Sequence, residues 1–180
     1  MDDTLLHLRD PHVLPLTILI EKMRDRCIKV PHIDPRDGGI KAQAIIFLET
    51  PGPQAKNGFV SRDNDDPTAQ NFNKVCKCSG IDRKITALWN VVPQCLSARP
   101  TDSQIRDAIP DTAQFIQSFV ALKAIVFCGG SAKYAMKRLT LGSLKVFPTY
   151  HTGRKAFNRP RLQNHIRSTF CDLAVWLNAN

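Results

Sequence analysis

The chain has 180 residues, of which 43% are hydrophobic and 23% charged. This composition is typical of a single globular domain, here residues 1–180, and it excludes fibrous and disordered classes. The formal net charge is +9, and no apolar stretch reaches the roughly 18 residues that a membrane-spanning helix needs.

Apolar runs and turn residues predict helices and strands that alternate along the chain. The strands are near-continuously apolar, as expected of strands covered on both faces. Asp66 and Pro67 form a typical N-cap and first helical position, and Pro110 is expected to divide one helical segment in two. In chain order, the predicted elements are a helix near 13–27, a strand at 43–49, a helix from 67, a strand at 85–92, helices within 101–122, a strand at 124–130, a helix at 131–139, a strand at 144–151 and a helix at 159–177.

This alternation predicts an α/β fold, a three-layer α/β/α arrangement with a central four-stranded parallel sheet flanked by helices. Right-handed crossovers bring the carboxyl ends of all four strands to one edge of the sheet, where ligands bind in such folds. The residues at these ends are Glu49-Thr50-Pro51-Gly52, Asn90, Gly129-Gly130 and His151. We therefore expect a carboxylate, an amide and an imidazole around one pocket, although Pro51-Gly52 by itself is also common turn chemistry.

Asn90 and His151 are the strongest candidates for contact with a ligand. An amide has a donor and an acceptor that could pair with the edge of a pyrimidine base. The alternative for Asn90 is a hydrogen bond to the neighbouring loop backbone. His151 could stabilise a departing anion, although a lone histidine is more often structural or merely exposed.

Phe59 and Asp63 are weaker candidates in the loop that follows the first strand. Phe59 lies in a segment rich in Gly, Asn and Lys, from which an aromatic ring could stack on a planar base. By residue type alone, Phe59 is more often a core residue. Asp63 is a minor catalytic candidate, since acids in such a loop are most simply turn and cap residues.

The positive charge is concentrated in the last third of the chain. Residues 121–180 contain ten Lys and Arg but a single acid, Asp172. Four of these cations, Arg154, Lys155, Arg159 and Arg161, follow His151 closely. A solvated basic surface and a polyanion-binding surface both explain the pattern, and the second is typical of phosphate neutralisation.

The cysteines favour neither disulfides nor a metal. The acidic start MDDTLLHLRD lacks the basic segment of a secretory signal, so we expect a cytoplasmic protein with reduced thiols. Cys76 and Cys78 are the only close pair of the six cysteines. A zinc or iron–sulfur site needs about four convergent ligands, so no metal or other cofactor is predicted.

Together these segments resemble the uracil-DNA glycosylase superfamily over roughly residues 38–170. Leu48-Glu49-Thr50-Pro51-Gly52 resembles the Gly-Glu-Ala-Pro-Gly motif of its bacterial members. GFVSRDNDDPTAQNF resembles the following loop and helix, and WNVVP resembles the strand with the uracil-reading asparagine. YHTGRKAFNR stands where the family has His-Pro-Ser-Pro.

The resemblance implies a role for each matching residue. Phe59 would stack on the extruded base, Asn90 would pair with its edge, and His151 would stabilise charge at uracil O2. Glu49 matches the glutamate that organises the attacking water. The same comparison places Pro51 and Gly52 in the pocket floor and Arg154 and Lys155 at the wedge into the base stack. Arg159 and Arg161 belong to the same basic cluster, which is expected to contact the phosphates of DNA.

The chain also departs from the family pattern. Thr50 stands where the best-known branch has its water-activating aspartate, so the water could be positioned by Glu49, Thr50 or Asp63. Gly52 replaces a bulky tyrosine, which widens the pocket and leaves discrimination against thymine open. The iron–sulfur cysteine spacing of the nearest branch is absent, and His151 is followed by Thr152-Gly153-Arg154.

The resulting expectation is a monomeric, monofunctional DNA glycosylase of base excision repair that flips uracil out of DNA and hydrolyses its N-glycosidic bond. Hypoxanthine or xanthine is an alternative substrate, because the pocket is wide. A second class is a non-catalytic or weakly catalytic module that binds damaged or abasic DNA. An unrelated nucleotide-binding protein is less favoured, since no G-x-G-x-x-G or P-loop follows the first strand.

Overall fold

A computed structural model describes residues 3–26, 29–52, 55 and 58–180. It contains six strands and seven α-helices within the described residues. The strands are β1 (His32–Ile33), β2 (Ala44–Leu48), β3 (Phe59–Val60), β4 (Thr86–Asn90), β5 (Ala124–Cys128) and β6 (Lys145–Thr149). The helices are α1 (Leu14–Arg26), α2 (Pro67–Cys78), α3 (Asp102–Asp107), α4 (Ile109–Gln117), α5 (Gly130–Met136), α6 (Arg154–Phe157) and α7 (Pro160–Ala179). Short 3₁₀ helices are Asp3–Arg9, Gly39–Lys41 and Arg83–Ile85.

The predicted α/β class and its four-stranded parallel sheet are confirmed. The strand order is β4-β2-β5-β6, and every neighbouring pair is parallel. One group of contacting helices is α2, α6 and α7, and a second is α1, α3, α4 and α5. The pair β1 and β3 forms a separate two-stranded parallel sheet that the sequence analysis did not predict, because two residues are too short to show a period-two pattern.

Aromatic side chains fill the core beside the central strands. The ring of Trp89 in β4 stacks on Phe115 in α4 at a centroid distance of 5.0 Å, and Phe47 in β2 stacks on Phe127 in β5 at 5.5 Å. Strands β2, β4 and β5 are buried along their whole length, whereas the edge strand β6 is partly exposed. An edge strand tolerates Pro148, which has no N–H for the ladder.

Local sequence signals set the helix boundaries that were predicted. The side chain of Asp66 caps α2 by accepting hydrogen bonds from the backbone N–H groups of Thr68 and Ala69, and Pro67 is the first residue of the helix. The segment 101–122 is divided as predicted, with Pro110 in the first turn of α4. By residue type Cys27, Cys95 and Cys128 are expected to be small buried residues. Cys128 is buried in β5, Cys95 is only half-buried, and Cys27 lies outside the described residues.

Candidate active site

The candidate site lies where the order of the strands reverses. β2 and β5 are neighbours in the sheet, but the chain reaches β4 on one side before it crosses to β5 on the other. The loops that leave β2 and β5 diverge at such a point and open a crevice at the carboxyl edge. Glu49 follows β2 and Ser131 follows β5, and the Ser131 hydroxyl donates a hydrogen bond of 2.7 Å to Glu49 Oε2 across this crevice.

A small cavity of about 120 Å³ opens beside the crevice. This volume is well below the roughly 300–1,000 Å³ of a pocket for a drug-sized ligand, so the cavity suits one small planar group. The described residues that line it include Pro51, Gly52, Asp66, Phe72, Asn90 and His151. The predicted amide and imidazole therefore lie around the same cavity, together with Thr50 and the Pro-Gly turn.

Asn90 has an unsatisfied oxygen at this cavity. It is the last residue of β4 and only 1% exposed. Its side-chain Oδ1 is buried and has no hydrogen-bond partner among the described residues, so no loop backbone in the described part of the chain satisfies this oxygen. An unpaired buried acceptor costs about 1–3 kcal/mol, and native proteins keep few of them. A ligand that brings a donor into the cavity would remove this cost.

The His151 ring is fixed by its own loop. The backbone N–H of Gly153 donates a hydrogen bond of 3.0 Å to Nδ1, so the neutral ring carries its proton on Nε2. Burial lowers the pKa of His151 below its ordinary value, while the negative charges of Glu49 and Asp66 act in the opposite direction. The site therefore holds a neutral imidazole with one nitrogen ready to donate.

Helix α2 holds the loop that carries His151. The Asn71 side chain donates 2.8 Å to the backbone oxygen of Thr152, and the Thr152 hydroxyl donates 3.1 Å to the backbone oxygen of Thr68. Thr152 is fully buried. These two hydrogen bonds join the start of α2 to the residues after β6, so they fix His151 relative to the wall of the cavity formed by α2.

Glu49 lies next to this cavity rather than in its described lining. It borders an open depression of about 430 Å³ with Thr50, Arg99 and His151. Thr50, Pro51 and His151 border both spaces, so the depression adjoins the cavity at these residues. Thr50 Oγ1 makes only long contacts, 3.3 Å to Pro51 O and 3.4 Å to Gln94 O.

Phe59 and Asp63 are not brought to the cavity. Successive strand residues point to opposite faces, and because Val60 lines the cavity, the ring of Phe59 packs near His32 instead, at a centroid distance of 6.1 Å. Asp63 forms ion pairs with Arg36 at 3.3 Å and Arg83 at 2.8 Å. Phe72 in α2 is the aromatic residue among the described cavity residues.

The predicted DNA-binding cations lie on the surface beyond His151. Arg154 and Lys155 begin α6, and Arg159 and Arg161 flank the start of α7. All four side chains are exposed. These four cations therefore come shortly after His151 in the chain, and His151 borders both the cavity and the depression.

Several residues at the site were missed or undervalued by sequence reasoning. Asp66 was interpreted only as a helix cap, although it also lines the cavity. Phe72 lies among the buried apolar residues of α2, so the sequence pattern did not distinguish it from an ordinary core residue, although it also lines the cavity. Ser131 and Arg99 gave no sequence signal. They lie near Glu49 only because the fold brings together the end of β2, the segment before α3 and the start of α5.

Comparisons of the sequence with known protein families and with curated proteins identify no relative of this chain. No model of a known protein family matches the chain, and no curated protein sequence matches it. None of the helices that the structure describes is long and apolar enough to cross a membrane. Within the same described residues, no group of three or more His, Cys, Asp or Glu side chains could hold a metal ion. The fold and the site thus define a doubly wound α/β protein with a small cavity, lined by apolar residues and a few polar side chains, at its switch point.

Proposed function

We propose that the protein is a DNA glycosylase that removes uracil from DNA. The observation that carries the proposal is that Asn90 lines a cavity small enough for a single base and has a buried side-chain Oδ1 without a partner among the described residues. The N3–H of uracil is a donor that Oδ1 could accept, and uracil O4 could accept from the amide nitrogen. Pairing of this kind would read the edge of an extruded base, and Phe72 is the described aromatic residue that could contact its ring.

His151 would stabilise the departing base. When the N-glycosidic bond breaks, its electron pair leaves with the uracil ring, and negative charge develops on O2. The Nε2–H of a neutral, buried imidazole could donate to that oxygen without a proton transfer. One fixed donor of this kind is worth about 100- to 1,000-fold in rate.

Glu49 would act on the sugar. Glu49 borders the depression that adjoins the cavity at His151, which is where the deoxyribose of a bound base would lie. A carboxylate there could orient water toward the electron-poor C1′ and favour positive charge on the ring. Thr50 borders the same space, so its hydroxyl could help to position the water, whereas the ion pairs of Asp63 make it a poorer candidate.

The exposed Arg154, Lys155, Arg159 and Arg161 would bind the phosphate backbone. The proposed partner is therefore DNA that contains uracil, and we also propose that the protein acts in the cytoplasm.

One observation favours the second candidate, a module that binds damaged DNA without catalysis. Arg99 Nε lies 3.4 Å from Glu49 Oε2, so the carboxylate is ion-paired in the free protein.

The proposal is tested by excision from oligonucleotides under single-turnover conditions. Single- and double-stranded substrates should contain uracil, hypoxanthine, xanthine or thymine, so that base and strand preference are measured together. Asn90→Ala and His151→Ala should each slow uracil excision by roughly 100-fold or more, with circular dichroism unchanged. His7→Ala and Asn178→Ala, which alter exposed residues outside the site, are the matched controls.

Two results would contradict the glycosylase proposal. Unchanged excision in both site variants would mean that another part of the chain carries the chemistry. Tight binding of the wild-type protein to uracil-containing DNA, with no abasic product from any base, would instead support the non-catalytic module.

A further inference from the structure

The depression beside the cavity contains an arginine that the proposed chemistry leaves unused. Arg99 lies in the loop between β4 and α3, and its side chain is 67% exposed. It borders the depression with Glu49, Thr50 and His151. Because this space adjoins the proposed base cavity at Thr50, Pro51 and His151, it is the described space in which the sugar and the adjoining phosphate of a bound nucleotide would lie.

The hydrogen bonds and the ion pair that Arg99 forms with other described residues are all long. Its Nε lies 3.4 Å from Glu49 Oε2, and its Nε and Nη2 both lie 3.4 Å from Ser131 Oγ. Exposed ion pairs contribute little to stability. A phosphate can accept two parallel hydrogen bonds from a guanidinium, and such charge-assisted pairs are shorter and stronger. A phosphodiester in the depression could therefore replace Glu49 as the partner of Arg99.

The start of α5 accommodates the guanidinium in its present place. A Cβ added to Gly130 would lie 2.8 Å from Arg99 Nη2, which is closer than non-bonded atoms normally approach. A residue larger than glycine at position 130 would displace the end of this flexible side chain. The ion pair with Glu49 thus depends on the absence of a side chain at Gly130.

We propose that Arg99 binds the phosphodiester next to the nucleotide in the site, and that this exchange releases the Glu49 carboxylate to face the sugar. The inference rests on the proposed function, because it takes DNA as the ligand. Before DNA binds, Arg99 neutralises Glu49. After the exchange, Ser131 still donates its 2.7 Å hydrogen bond to Glu49 and keeps the carboxylate in place.

The first experiment measures DNA binding without catalysis. The probe is a duplex with a non-cleavable abasic-site analogue, and its affinity is followed as a function of salt concentration. Arg99→Gln should reduce the slope of log affinity against log salt by about 0.9, the value for one phosphate contact. Arg106→Gln, an exposed arginine on α3 that contacts Tyr134, is the control and should keep the wild-type slope.

A second measurement identifies which phosphate is bound. In separate probes, the phosphodiester on the 5′ or the 3′ side of the analogue is replaced by an uncharged methylphosphonate. With one of these two probes, the salt slope of the wild-type protein should fall by the same amount that Arg99→Gln causes on the unmodified probe. With that probe, the salt slope of the Arg99→Gln variant should not fall further. Equal losses in both proteins for both probes would overturn the assignment, since Arg99 would then not contact either phosphate.

Competition between Glu49 and phosphate is tested with a double-mutant cycle. Glu49→Gln and Gly130→Ala should each tighten binding to the abasic duplex by up to about fivefold, the range for an exposed ion pair. In the Arg99→Gln background neither change should tighten binding. If both changes tighten binding equally in the wild-type and Arg99→Gln backgrounds, the proposed exchange of partners is wrong, because the effect of Glu49 on binding would not depend on Arg99.

The outcomes for the two proposals are separable. If the protein excises no base but Arg99→Gln still lowers the salt slope, the phosphate site stands and the glycosylase proposal fails. If the protein excises uracil while the slope of Arg99→Gln equals that of the wild type, the glycosylase proposal stands and the phosphate site is wrong.

Discussion

At the level of single residues, His151 combines a buried ring with a fixed proton position. The ring nitrogen Nδ1 accepts from the backbone, and a side chain at Gly153 would place a Cβ 2.9 Å from that nitrogen. The absence of a side chain at Gly153 therefore allows the contact that sets the tautomer. Ring burial and tautomer together determine what His151 can do to a bound oxygen.

We predict that His151 is neutral at pH 7. Burial lowers its pKa below the ordinary 6.5, so the ring should gain a proton only in acid, and excision should not change between pH 7 and pH 8 through this group. An NMR titration of the His151 Cε1 resonance checks the prediction, with His151→Gln used to assign the signal. A midpoint above 6.5 would mean that Glu49 and Asp66 outweigh burial and that the ring is cationic in weak acid.

Gly129 determines where His151 lies. Its φ is +93°, and an added Cβ would lie 3.2 Å from the Cβ of His151. Gly142 also has a positive φ, +55°, but no atom within 4 Å of an added Cβ. We predict that alanine costs about 1–2 kcal/mol in unfolding free energy at Gly142 and about 1–3 kcal/mol at Gly129, whose ψ of 179° lies in a region that is essentially restricted to glycine. Only Gly129→Ala should also slow excision. Equal excision rates for the two variants would indicate that the contact with His151 is unimportant.

At the level of secondary-structure elements, α2 supports three parts of the site. Its N-cap Asp66 and its buried Phe72 both line the cavity. Asn71 on the same helix binds the loop after β6. One helix therefore connects the wall of the cavity to the position of the imidazole.

We predict that Asn71→Ala loosens this connection. The variant loses a hydrogen bond to the backbone oxygen of Thr152, which should lower the unfolding free energy by about 1 kcal/mol and slow excision several-fold because His151 is held less firmly. Gln70→Ala, whose side chain contacts only Asp65 at the surface among the hydrogen bonds described, is the control. Loss of stability with full activity would show that the hydrogen bond supports the fold but not the site.

At the level of the whole molecule, a cluster of buried charges joins distant segments. Asp34 and Asp37 are fully buried and Arg62 is 4% exposed. Asp37 forms ion pairs with Arg62 at 3.3 Å and Arg83 at 3.0 Å. Hydrogen bonds from Arg36 and Ser61 outweigh burial and lower the pKa of Asp34 below its ordinary value. Breaking such a cluster by removing one partner is destabilising, because a buried charge is left uncompensated.

We predict that Asp37 makes the protein less stable as pH rises through weak acid. Burial raises the pKa of Asp37 from 3.8 to about 6, although Arg62 and Arg83 lower it. Between pH 3.8 and about pH 6, the Asp37 carboxyl group is protonated in the folded state but ionised in the unfolded chain. The contribution to the unfolding free energy is therefore greatest below about pH 4 and falls by about 3 kcal/mol by pH 7.

Urea denaturation between pH 4 and pH 7 checks this dependence. The difference in unfolding free energy between the wild type and Asp37→Asn should fall across this interval, because the buried His32 and His151, whose pKa values are lowered, add a slope of the opposite sign to both proteins. Asp172→Asn on the exposed face of α7 should leave the wild-type dependence unchanged. A slope of the opposite sign across this interval in the wild type, lost in Asp37→Asn, would show that the neighbouring arginines outweigh burial and that the pKa of Asp37 is lowered.

The sequence by itself determined the main helices, the four strands of the central sheet, their parallel direction and the edge at which the strand ends meet. Those features follow from local periodicity, from caps such as Asp66-Pro67 and from the handedness of the crossovers, all of which depend on neighbouring residues. It also singled out Asn90 and His151, because polar residues at the ends of buried strands are conspicuous.

Only the tertiary structure decided which side chains face the cavity. It placed Phe59 away from the cavity and Phe72 against it, because the direction of a side chain in a two-residue strand depends on the partner strand. It also paired Glu49 with Arg99, 50 residues further along the chain, and Asp37 with Arg62 and Arg83. Contacts between distant segments are set by how the loops and layers pack, and no local pattern of residues encodes them.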